Sequence, residues 1–152
     1  MSAKKFRFRL EPLLKIRQYR EKERQKEHAG AVQEVLKQKQ ELVTLDNQRL
    51  DTLDHQRQKL VGRLSVAEAL VCSRYLVKLK RQRMNGNGLL HGLEREAENK
   101  RQKLVIAARD RKMYELLKDK QQLRHRQELE KQEQKQLDEV AVTAFRRQKE
   151  NG

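Results

Sequence analysis

The side chains that could do chemistry in this chain are few in kind and poorly spaced for it. Four histidines, His28, His55, His91 and His125, stand far apart, without the short spacings of a transition-metal site. Each is expected as a solvated histidine on a helix surface. Cys72 is the one cysteine, so neither an intramolecular disulfide nor a cysteine-based zinc site can form. It falls on an apolar stripe, where a small side chain packs, and no cationic neighbour is assured to activate it. Gly86, Gly88 and Gly92 give G-x-G-x-x-x-G. That is one residue too long for a dinucleotide fingerprint, no strand pattern precedes it, and no Gly-Lys-Ser/Thr occurs. Carboxylates are plentiful, but on long helices they face solvent, and no pair is placed for acid/base work. The chain is expected to be no enzyme, with no catalytic residue, cofactor, metal or small-molecule substrate.

The basic residues are organised more tightly. Formal net charge is +15, which calls for an acidic partner. Arg74, Lys78, Lys80, Arg81 and Arg83 form a run without an acid. Lys4, Lys5, Arg7, Arg9, Lys15, Arg17 and Arg20 crowd the N-terminal end. The bland interpretation is a solvated helix face; the functional one is docking on an acidic protein surface. Nucleic acid is not expected, because neither stacking aromatics nor a recognised motif accompanies the charge. Tyr75, just off the apolar stripe, is either core margin or part of a docking face.

The elements that must carry these residues follow from composition. Of the 152 residues, 39% are charged and 36% hydrophobic, with no Trp. That is too little apolar surface for a compact single core, and it leaves disorder or long helices with a narrow seam. Abundant Gln, Lys, Glu, Arg, Leu and Ala favour helix, as does a single Pro. No stretch approaches a membrane span, and the N-terminus lacks the apolar core of a signal peptide. A cytoplasmic location is expected.

Phe6-Arg7-Phe8-Arg9-Leu10 alternates with period two, so residues 1–10 are expected as a basic arm, extended rather than helical. Pro12 suits a first helical turn, which places helix 1 at about 11–61. Its apolar residues suggest a heptad seam through Val32, Leu36, Val43, Leu50, Leu53 and Leu60. Two turns compete. Asn85-Gly86-Asn87-Gly88 has the louder turn chemistry. Gly62-Arg63-Leu64-Ser65 is quieter, but Ser65 and Glu68 form a capping box. Phase decides. Leu76 and Leu90 lie two whole heptads apart, so register passes through the glycines, whereas Leu60 to Ala69 fits no seam step. The turn is therefore placed at 62–65 and helix 2 at about 66–149, with its seam on Ala69, Cys72, Leu76, Leu79, Leu90, Leu93, Ala97, Leu104 and Ala107. Beyond Leu104 the stripe is expected to rotate onto Ile106, Met113, Leu116, Leu123, Leu137, Ala141 and Ala144. The fold class is all-α: one domain, 1–152, two long helices in an antiparallel coiled-coil hairpin, the longer C-terminal helix overhanging.

Four stretches of this sequence resemble the FliJ family, the coiled-coil stalk of flagellar type III protein export. They are F-R-F-R-L-E-P-L-L-K-I-R at 6–17, L-S-V-A-E-A-L-V-C-S-R-Y-L-V-K-L at 64–79, A-R-D-R-K-M-Y-E-L-L-K-D-K at 108–120 and Q-L-D-E-V-A-V-T-A-F-R-R at 136–147. They fall in family order along nearly the whole chain. The glycines of Asn85 to Gly92 depart from the family pattern. The resemblance implies a non-catalytic component whose paired termini enter the hexameric ring of the export ATPase and whose turn-proximal hairpin meets the membrane-embedded export gate. It also implies a link to export chaperones and a peripheral position at the cytoplasmic face of the inner membrane. Ring-contact candidates are then Phe6, Phe8, Leu10, Leu13, Arg17, Phe145, Arg146 and Arg147. Gate-contact candidates are Leu45, Tyr75 and Leu79.

Three other functions compete with this one. The equivalent stalk of a virulence-type secretion system would be told apart by neighbouring genes. A basic coiled coil on nucleic acid would bind with steep salt dependence. A helix on anionic membranes would need a broad apolar face with Trp or Phe, and the narrow seam ranks it last.

Overall fold

The computed structural model describes residues 4–62 and 65–152. Two helices account for most of it, α1 (Glu11–Leu60) and α2 (Val66–Glu150), and no strand occurs among the described residues. The helices pack against each other as an antiparallel hairpin. Of the turn expected at 62–65, Arg63 and Leu64 lie outside the described residues.

Local chemistry sets the ends. Before α1, residues 4–8 have no regular structure, and the Glu11 amide donates to the Phe8 carbonyl at 3.2 Å. Glu11 also places a carboxylate in the first turn, where the helix dipole favours it. At the other end the Gly62 amide donates to Lys59 O at 3.0 Å. Ser65 caps α2: its Oγ accepts from the Glu68 amide at 3.2 Å, satisfying one of the orphan donors of a helix start. The Glu68 carboxylate pairs across the reversal with Lys59 Nζ, 3.3 Å away.

α2 runs unbroken through Asn85-Gly86-Asn87-Gly88, and no described glycine has positive φ. Gly86 is instead a seam residue. A Cβ there would stand 2.8 Å from Leu42 Cδ2 and 3.1 Å from Gln38 Nε2. Gln38 Nε2 donates to the Gly86 carbonyl at 3.2 Å, which is how a buried amide is accommodated. The absent side chain lets α1 come this close.

The described chain forms two compact units. In the unit Lys22–Ile106, shielded positions on α1 are Arg24, His28, Ala31, Val35, Gln38, Leu42 and Leu45, then Leu53, Gln56 and Lys59. This corrects the seam expected from sequence. Val32, Leu36, Val43, Leu50 and Leu60 are exposed; apart from Leu53, the seam lies one residue earlier. Val35 is 9% exposed and its neighbour Leu36 54%. The expected stripe also advances by sums of three and four, so spacing does not separate the two phases; the one that packs continues through polar positions such as Gln38, which apolar counting passes over. On α2 the shielded positions are Ala69, Cys72, Leu76, Leu79, Arg83, Gly86, Leu90, Leu93, Ala97, Lys100 and Leu104. Ion pairs Lys39–Glu94 at 3.4 Å and Asp46–Arg83 at 3.0 Å flank them.

The expected rotation onto Ile106, Met113, Leu116 and Leu123 does not occur: Ile106, at the end of the unit Lys22–Ile106, is exposed, and so are Met113, Leu116 and Leu123 in the unit Met1–Glu21 with Ala107–Gly152. The shielded positions are Ala107, Arg111, Tyr114, Lys118, Gln121 and His125, at the same seven-residue phase as Leu90 and Leu93. They face Leu14, Arg17, Glu21 and Glu11, and the seam here is held by charge. Arg111 pairs with Glu21, and with Glu115 at 2.6 Å. Arg17 donates to Asp110 at 3.2 Å. Lys118 Nζ lies 2.9 Å from Glu11 Oε2. That oxygen is buried and outside hydrogen-bond geometry, so the contact is Coulombic rather than directed. From Glu130 to Glu150 every residue of α2 is exposed, which is the overhang. Among the described residues, no helix is long and apolar enough to cross a membrane.

Candidate protein-binding surfaces

The first surface is built by the basic arm on the Met1–Glu21 and Ala107–Gly152 unit. Along residues 6–9 the two aromatic side chains are the shielded ones, and Arg7 and Arg9 between and after them are exposed. Phe8 is 5% exposed and anchors the arm. The half-buried Phe6 ring lies 5.6 Å, centroid to centroid, from the His125 ring at 55°. Phe6, Arg7, Phe8, Arg9, Lys15 and Lys118 line an open cavity of about 950 Å³. Three cations from the arm and α1 thus meet one from α2, against a single acid, Glu11.

The ring-contact candidates are only partly brought together. Phe6 and Phe8 share the cavity wall. Leu10 is half-buried and Leu13 exposed. Arg17 is engaged elsewhere, bonded to Asp110 and lying 5.7 Å from the centroid of the Tyr114 ring. Phe145, Arg146 and Arg147 are exposed on the overhang. They are twenty residues beyond His125, about 30 Å along the helix, and form a separate patch.

The second surface belongs to the Lys22–Ile106 unit. Leu45, Leu53, Leu76 and Leu79 floor a groove of about 600 Å³, rimmed by Arg49, Lys80, Arg83 and Met84. Two of the gate-contact candidates sit here. Leu45 is half-buried, and Leu79, 2% exposed, offers a partner only its groove edge. Tyr75 stands outside the groove, 39% exposed. Sequence reasoning missed the rim, Arg49 and Met84 above all. The signal was the heptad phase of Leu45 and Leu79, which sets those neighbours beside them.

Charge pairing separates the cations near the groove. Arg83 is fixed by Asp46 at 3.0 Å. Arg74, Lys78, Lys80 and Arg81 have no acidic partner among the described residues. By contrast Arg101 is bonded twice to Glu98 at 2.9 Å, and this hydrogen bonding holds the Glu98 carboxyl below its ordinary value. Hydrogen bonds donated to Glu115 and then to Glu21 likewise hold the Arg111 guanidinium above its usual value.

No group of three or more His, Cys, Asp or Glu able to hold a metal occurs among the described residues. A thin seam, a cationic arm cavity, a rimmed apolar groove and an unpaired helical end define an antiparallel coiled-coil interaction protein. The family model for the flagellar FliJ protein matches residues 6–150, nearly the whole chain. The chain belongs to that family, a non-enzymatic component of flagellar protein export. No curated protein and no solved structure matches it.

Proposed function

We propose that the chain is the stalk and general chaperone component of flagellar export, binding the hexameric export ATPase through its terminal unit and the export-gate membrane protein near the turn. The observation that carries this is the overhang: residues 130–150 are helical, wholly exposed and carry Phe145, Arg146 and Arg147 in their last two turns. A helical end without an intramolecular partner is built to be read by another protein. A ring can be biased by such an element only through contacts that differ between its conformations. Exposed Phe145 and Leu13, with Arg146 and Arg147, supply apolar and cationic groups for such contacts. The Phe6 and Phe8 cavity adds a second, cationic surface on the same terminal unit.

The groove of Leu45, Leu53, Leu76 and Leu79 fits a gate segment with apolar side chains and an acidic flank. Arg49 and Lys80 would meet the acids, and Tyr75 would extend the contact outside. Export chaperones would be escorted on the same exposed helices. The protein would then work at the cytoplasmic face of the inner membrane, held there peripherally by its partners.

Pull-down with the cognate ATPase, joined to a turnover assay, tests the proposal. The full chain should bind and raise turnover, and Phe145→Ala with Arg146→Glu should lose both while keeping its helix content. Absence of binding together with unchanged turnover would sink it.

A further inference from the structure

The seam of α2 near the turn, Ala69, Cys72, Leu76 and Leu79, is shielded by α1. At 3.6 residues per turn, the opposite face carries Val66, Leu70, Arg74, Val77, Lys78 and Arg81. Its apolar members are 85%, 51% and 64% exposed at Val66, Leu70 and Val77. Val71 at its edge and Val61, just past the end of α1, are exposed too. These are a second apolar set, on the side of α2 that no part of the described chain covers.

The cations of this face are equally unanswered. No Asp or Glu occurs between Glu68 and Glu94, so no carboxylate on α2 can reach Arg74, Lys78 or Arg81 at helical spacing. Elsewhere the same helix answers its cations, with Lys100 paired to Glu96 at 3.1 Å and Arg101 to Glu98. Aliphatic and cationic side chains are interleaved along one helix side, without a cleft or a central aromatic anchor. A protein partner would be expected to seat on a pocket and a central anchor. A lipid surface needs no pocket, and this face is not the narrow seam on which a membrane function ranks last. Although it carries no Trp or Phe, its exposed aliphatic side chains can enter the headgroup boundary while Lys and Arg stems reach up to the phosphates and supply most of the attraction.

We infer that the face of α2 from Val66 to Arg81 that points away from α1 docks directly on an anionic lipid surface. The surface is distinct from the groove, whose floor is on the seam side. It requires no partner protein, and its recognition chemistry is a phosphate-bearing bilayer that accepts short aliphatic side chains.

The chain contains no Trp, so one introduced indole reports its own surroundings. In the full chain, Leu70→Trp should give blue-shifted emission with vesicles of phosphatidylcholine and phosphatidylglycerol, and should be quenched by brominated acyl chains. Leu137→Trp on the overhang should not respond. Lys78→Glu with Arg81→Glu should lower partitioning on the order of tenfold or more, with helix content unchanged. Raised salt should weaken binding of the Leu70→Trp chain itself. Vesicle binding with an unshifted indole at position 70 would place the contact on the basic arm and overturn the inference. So would equal response to phosphatidylcholine alone, or a shift that needs only higher protein concentration, the mark of a second copy. Binding to polyglutamate in preference to vesicles would assign the face to an acidic protein instead.

Discussion

Gly86 shows how much one missing side chain decides. The three glycines of the Asn85–Gly92 stretch carry the same helical penalty, about 1 kcal/mol each against Ala, yet their surroundings differ. Gly88 and Gly92 face open space, whereas Gly86 meets Leu42 and Gln38. Gly88→Ala and Gly92→Ala should each stabilise by about 1 kcal/mol in thermal or urea unfolding. Gly86→Ala should gain less, since Leu42 and Gln38 must shift their flexible ends, and Gly86→Leu should destabilise. Acid dependence belongs at this scale too. Hydrogen bonds from Arg101 depress the Glu98 value in the folded chain. Glu98 therefore contributes stability above the ordinary carboxylate value of 4.5, and that contribution is lost as pH falls through the depressed value. Glu98→Gln should flatten the acid side of a stability-against-pH curve and leave its alkaline side unchanged.

Along each helix the deciding quantity is phase. Leu36, Val43 and Leu50 are exposed, whereas Ala31, Val35, Gln38, Leu42 and Leu45 are shielded, although both sets advance by sums of three and four. The two choices differ by one residue, about 100° of rotation. Val35→Asn should therefore cost about 1–3 kcal/mol, as a polar group buried without its partner does. Leu36→Asn should cost about 0.5 kcal/mol or less. The hairpin and the α2 seam up to Ala107 were legible because Leu76, Leu79, Leu90 and Leu93 sit on one heptad. The rest was hidden because the seam of the terminal unit is polar: Arg111, Lys118, Glu11 and Glu21 occupy places that apolar counting passes over. Opposite charges equidistant from the turn would have revealed it. Glu21→Arg should lower the melting temperature, and the swap Glu21→Arg with Arg111→Glu should recover most of the loss in a double-mutant cycle.

For the whole molecule, few side chains are buried; Phe8, Leu14, Ala31, Val35 and Leu79 are the apolar core among the described residues. Such a core suits a protein whose surfaces are completed by partners. Of the candidate site, the arm was legible in the alternation of Phe6 to Leu10, and Arg17 was not, because its bond to Asp110 spans most of the chain. The overhang was legible in the unequal helix lengths. The groove was half legible: Leu45 and Leu79 could be named, but Leu79's burial follows only from packing. Membership of the flagellar FliJ protein family makes partner binding the function to test. The most direct measurement is turnover of the cognate export ATPase with and without the full chain, followed by the Phe145→Ala and Arg146→Glu variant. The account predicts stimulation by the chain and its loss in a variant of unchanged helix content. Turnover indifferent to the chain, or a variant that stimulates as well as the parent, would contradict it.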